Sequence, residues 1–242
     1  MFKILGVGAL ALALGACGAP RPRPPPPQNA PSAASPSLPA QGRIYRIDPQ
    51  GSELRILVYR AGPLARFGHN HVMRNRAIRG EVNLSSTDAA SSFSLTFPAG
   101  AFTVDEAQAR REEGSDFSSE IPEDAKAGTF GNMMSTAVLD AAEFPEISVK
   151  SVAVATSAGA GAGTGVGGAL TATVAIKVAG RESRVDVPME LVRDSDRVSA
   201  SGSLELRQSA LGLIPYSLML GALQVQDAMT IKFKVVALLD AG

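Results

Sequence analysis

The sequence predicts a mainly β domain of antiparallel strands, on three observations. Segments alternate apolar and polar residues at period two, turn residues separate them, and helical periodicity is confined to one insertion. About eight such strands can be counted in residues 43–242, and no βαβ rhythm that would build a parallel sheet occurs. Strands with one apolar face can form a sandwich or a closed barrel, and an eight-stranded barrel can be filled by side chains or hold one ligand. Alternation alone leaves both open.

In chain order, Arg43-Ile44-Tyr45-Arg46-Ile47-Asp48-Pro49 is a short alternating run closed by a turn. Residues 52–60 form a strand with Leu54, Ile56 and Val58 on one face and Glu53, Arg55, Leu57 and Tyr59 on the other. Gly62-Pro63 breaks it. Residues 77–84 alternate again through Ile78, Val82 and Leu84, and Phe93, Leu95 and Phe97 repeat the pattern. Residues 105–124 carry eight acids against Arg110 and Arg111 and suit an exposed helix and loop. Pro122, followed by Glu123 and Asp124, fits the first turn of a helix, and Phe130, Met133, Met134, Ala137, Val138 and Ala141 recur at helical spacing, as a lid or core face would. Ile147, Val149 and Val152 resume the strand pattern imperfectly, and residues 158–168 read as a long hairpin loop. Gly163-Thr164-Gly165-Val166-Gly167-Gly168 within it matches the dinucleotide-binding spacing, but a strand pattern follows where that motif needs a helix N-terminus. Val185 to Leu191, Val198 to Leu206 and Met229 to Leu239 then alternate cleanly, and the apolar connection 211–220, with Ile214 and Tyr216, must pack on something or line an entrance.

The N-terminal residues are of another kind. Lys3 followed by an apolar run over 4–14 is too short to span a bilayer and reads as an export signal, residues 1–16. Leu14-Gly15-Ala16-Cys17 resembles the bacterial lipobox, which makes Cys17, the chain's one cysteine, a candidate lipidation site. Gly18 in place of Asp after it points to the outer membrane. Residues 17–42 are rich in Pro, Ala and Ser, cannot bury enough surface to fold, and read as a tether. The domain is 43–242, where 20 basic residues stand against 23 acidic ones, a balance that argues against nucleic acid as partner.

Phe67-Gly68-His69-Asn70-His71-Val72 holds the only two histidines among 242 residues, inside a segment, 54–80, with six arginines and no acid. Arg66, Arg74 and Arg76 are candidate contacts for an anionic headgroup, because guanidinium binds phosphate in forked geometry. The alternative is that these arginines pair with the acidic insertion and close the surface.

Four stretches carry a family resemblance: Tyr45-Arg46-Ile47-Asp48-Pro49, Gly80-Glu81-Val82, Leu139-Asp140-Ala141-Ala142-Glu143-Phe144-Pro145-Glu146-Ile147, and the final strand. With them the chain resembles the YceI-like family of lipid- or polyisoprenoid-binding envelope proteins over residues 44–237. The resemblance implies an eight-stranded antiparallel, lipocalin-like barrel whose apolar channel holds a long isoprenoid chain. The chain departs from the family's pattern at 67–72.

Three functions follow for comparison. The first is a periplasmic, membrane-anchored lipoprotein that carries or stores a polyisoprenoid, an isoprenoid quinone or another lipid, with Phe67, His69, His71, Arg66, Arg74, Arg76, Ile214 and Tyr216 as candidate ligand contacts. The second is a metal or haem site at His69 and His71, which share a side in an extended segment but are two ligands where a zinc site wants three or four. The third is an enzyme, for which no nucleophile elbow, free thiol, zinc-protease motif or phosphate loop exists in the domain. The first is preferred, with no cofactor beyond the bound lipid or quinone. The membrane through Cys17 is the second expected partner, and homodimerisation is left open. For the histidines, ring nitrogens bonded to backbone or to Asn70 are the plainest expectation.

Overall fold

The computed structural model describes residues 42–156 and 167–240. The signal segment 1–16, Cys17, the tether up to residue 41 and most of the 158–168 loop lie outside them. The first half contains β1 (Arg43–Ile47), β2 (Glu53–Ala61), β3 (His71–Asn75), β4 (Arg79–Leu84), β5 (Ser92–Pro98) and β6 (Thr103–Val104). Helices α1 (Ala107–Glu112) and α2 (Glu123–Met134) follow. The second half is β7 (Glu146–Thr156), β8 (Gly167–Val178), β9 (Arg181–Arg193), β10 (Arg197–Arg207), β11 (Ser217–Leu218) and β12 (Leu223–Leu239).

Strands β1, β4, β5, β7, β8, β9, β10 and β12 pair antiparallel in that order, and β12 pairs back to β1, so the sheet closes into an eight-stranded barrel. Two staves are interrupted. Strand β2 continues the line of β1 along the same edge of β12, and β3 continues the line of β4 beside β2. The ring and its core are complete within residues 43–239.

The periodicity explains which way each strand faces. Leu54, Ile56 and Val58 point inward, as do Val185, Val187, Met189 and Leu191 of β9 and the alternate residues of β12 from Met229 to Ala237. In β7 a bulge between Ser151 and Ala153 shifts the phase, so Val154 rather than Val152 is buried and Val152 is exposed. That bulge is why the sequence pattern looked imperfect there. Strand β12 starts six residues before the expected Met229, with its own irregularity between Val225 and Met229. The Gly-rich motif ends in β8, paired with β9, where no helix follows.

A second, smaller core lies outside the ring. The outward faces of β2 and β3, Leu57 and Val72, pack against Ala109 of α1 and Phe117, with Tyr59 alongside. Met133 and Met134 of α2 pack on the main core. The acidic stretch is not all surface: Asp105 is fully buried, and the side chains of Arg110 and Glu113 are buried as well.

Candidate functional site

The barrel encloses a cavity of about 450 Å³, within the ~300–1,000 Å³ range of ligand pockets. Through its middle the walls are aliphatic or aromatic, for example Ile56, Val82, Leu95, Val174, Leu204 and Ile231. Polar residues stand at the ends. At one are Arg60, His69, His71 and Tyr216, and at the other Ser92 and Arg193.

The first end is formed by the β2–β3 connection and by residues 208–222, which bring Leu211, Leu213, Tyr216 and Leu218 onto the cavity. Both histidines face inward there, their rings edge-on at 6.3 Å between centroids. His71 Nδ1 lies 2.6 Å from Oδ2 of Asp105. The other carboxylate oxygen of Asp105 accepts the Val72 N–H at 2.9 Å and Arg110 Nη1 at 2.6 Å. Arg110 in turn donates to the Asn70 and Ser119 carbonyls. A carboxylate on Nδ1 fixes the ring hydrogen there and leaves Nε2 as the free position. Among the described residues, no hydrogen bond is made to Nε2 of His71 or to either ring nitrogen of His69.

Two groups of this cluster are shifted. Burial, then the positive fields of His71, Arg110 and Arg60, lower the His69 pKa from its ordinary value and favour the neutral ring. Burial opposes ionisation of Asp105, but the hydrogen bonds from His71, Val72 and Arg110 outweigh it and hold its carboxyl below the usual range.

The other residues singled out in the sequence are placed differently. Arg74 and Arg76 do not line the cavity. Met73 points inward, so its neighbour Arg74 points outward, where it meets Glu53 at 2.6 Å and Glu106 at 2.7 Å, and Arg76 meets Glu53 at 3.2 Å. Arg55 pairs with Glu53, Glu112 and Glu113 on the same outer wall. The charge of 54–80 is thus met at Arg55, Arg74 and Arg76, by Glu53 at the start of β2 and by Glu106, Glu112 and Glu113 of the insertion. Arg66 is exposed and stacks over the Phe67 ring at 4.6 Å, and Phe67 and Ile214 stand on the rim, outside the cavity. Asn70 bonds not to the histidines but to Arg60 N–H and the Asp116 carbonyl.

Among the described residues, no group of three or more His, Cys, Asp or Glu is arranged to hold an ion. Asp105, which sequence reasoning missed, is the partner that organises the site. Its only local signal is its place just after the two-residue strand β6, which lays it beside Val72.

A family model for the YceI-like domain matches residues 45–237. Among solved structures, the chain is similar to BcnA of Burkholderia cenocepacia, at 16% identity over 79% of this chain and 99% of that one, with a TM-score of 0.55. It is also similar to a polyisoprenoid binding domain from Saccharophagus degradans implicated in plant cell wall breakdown, at 13% identity over 81% of this chain and 98% of that one, with a TM-score of 0.53. At these identities the likeness is one of fold. No curated protein matches the chain.

Proposed function

The chain belongs to the YceI-like family, and from that premise we propose that its barrel binds one long apolar ligand, an isoprenoid or another lipid, for carriage or storage. The observation that carries this reading is the cavity itself: about 450 Å³, apolar along its length, with hydrogen-bonding groups gathered at its ends. The name of the Saccharophagus degradans neighbour, a polyisoprenoid binding domain, supports the same ligand class. Burying five carbons of an isoprene unit is worth at most about 4 kcal/mol against water, and little of that remains when the ligand starts in a membrane. Selectivity therefore falls to the polar end, and His69 with Nε2 of His71 supplies unpartnered ring nitrogens there.

In this reading residues 1–16 export the chain, Cys17 carries the lipid anchor, and the protein works on the periplasmic side of the outer membrane. The sequence pattern alone supports that placement. The role is binding, not catalysis.

The test is an organic extract of purified residues 36–242, analysed by mass spectrometry. An isoprenoid or other lipid at about one molecule per barrel is expected. An extract free of lipid overturns the reading.

A further inference from the structure

Five large apolar side chains are exposed at the histidine end of the barrel: Phe67, Ile214, Leu218, Met219 and Leu220, with Phe67 65% and Leu220 109% exposed. They sit on two loops that are tied together, since Leu64 N–H donates to the Ala222 carbonyl at 2.8 Å and β11 pairs with the start of β12. Met219 and Leu220 hold φ of +50° and +56°, left-handed backbone that L side chains other than Asn and Asp rarely adopt. The turn therefore keeps two bulky apolar groups in water at a conformational cost, where Asn or Gly would sit more easily.

The same loops border the cavity, because Gly68, Tyr216, Leu218 and Leu223 line it. Their charge is one-sided. Residues 60–72 and 208–226 contain Arg60 and Arg66 and no acid. Acids begin beyond them, at Asp116 beside Asn70 and at Asp227, which Ser209 and Arg207 hold.

We propose that these two loops form a collar that docks into the surface of an anionic phospholipid bilayer and opens the cavity directly to it. The inference rests on the reading of the cavity as a lipid site. An apolar tip flanked by arginines suits the boundary between acyl chains and anionic headgroups. A second copy is a poorer occupant, because a two-fold contact would set one collar's arginines against the other's.

The barrel closes within residues 43–239, so the test uses residues 36–242. The chain has no tryptophan, and Phe67→Trp therefore gives a single reporter. With vesicles of phosphatidylcholine and phosphatidylglycerol, the protein is expected to co-float and its emission to move to shorter wavelength, less so in pure phosphatidylcholine or at high salt. The double variant Met219→Asn, Leu220→Asn should need at least tenfold more lipid for half-binding. Because Asn tolerates the left-handed turn, its melting temperature should be unchanged or higher, which separates lost docking from lost folding. Vesicle binding that is unaltered in the double variant overturns the proposal, as does self-association lost in that variant without any vesicle binding. A barrel that holds lipid yet does not float overturns docking alone. One that floats while its extract contains no lipid overturns the cavity reading and leaves docking standing.

Discussion

At the scale of single residues, Asp105 and His69 make the fold sensitive to acid in two separate windows. His69 has a folded pKa below its ordinary 6.5, so the unfolded chain binds the proton more readily. Stability is therefore unaffected by this group well above pH 6.5 and falls as pH drops from there through the folded value. Asp105 also has a lowered pKa, so its contribution is present above its ordinary 3.8 and is lost as pH falls through the folded value. Urea midpoints measured from pH 8 to pH 3 should show the first decline in wild type and not in His69→Gln. In Asp105→Asn the acid decline below pH 4 should shrink, and stability at neutral pH should drop by about 3–5 kcal/mol, because Arg110 would be left buried without its counter-charge. A His69→Gln profile that overlays wild type would show that the histidine is not held neutral.

At the scale of elements, the alternation identified the inward faces of β2, β4, β5, β9, β10 and β12, because an interior lined by period-two side chains leaves its mark in any register. Three things were not legible. The bulge in β7 changes phase in mid-strand, and only the pairing with β8 reveals it. The β1–β2 stave read as two separate short runs and β3 was not read as a strand at all, since their continuity lies in the shared edge of β12 and in the β2–β3 pairing. The partner of His71 is 34 residues away, in a stretch whose composition reads as surface. Gly80 marks a position where the element depends on one residue. Its φ is +138° and a Cβ there would lie 2.0 Å from the Ser94 carbonyl oxygen across the β4–β5 pair. Gly80→Ala should therefore destabilise the barrel by about 3 kcal/mol or more, combining backbone strain with a displaced strand. Gly128 in α2 is the contrast, because nothing lies within 4 Å of its added Cβ. Gly128→Ala should stabilise by about 0.5–1 kcal/mol, so thermal melts of the two variants should move in opposite directions.

At the scale of the whole molecule, the position of the collar sets a requirement on the chain that precedes the barrel. Arg43 pairs with Leu84 and Tyr45 with Leu239 at one end, whereas β12 begins with Leu223 at the other, so the chain enters the barrel at the end opposite the collar. The 17 residues of β12, at about 3.3 Å each, set an upper limit of roughly 55 Å on the distance between the ends. Under the proposed anchor at Cys17, residues 18–42 can span at most about 80–90 Å when fully extended. That reach exceeds the barrel's length, which lets the collar meet the same bilayer that holds the anchor. Deleting residues 24–38 would leave about ten residues and a reach of about 35 Å, well below that upper limit, and should hinder the collar from turning back. The shortened protein should remain anchored and keep its affinity for lipid supplied in solution, while its uptake of lipid from the membrane that carries it falls at least tenfold. Uptake at the full rate with the short tether would mean that the collar does not work on the anchoring membrane, whereas loss of lipid affinity in solution would point to damage in the barrel itself.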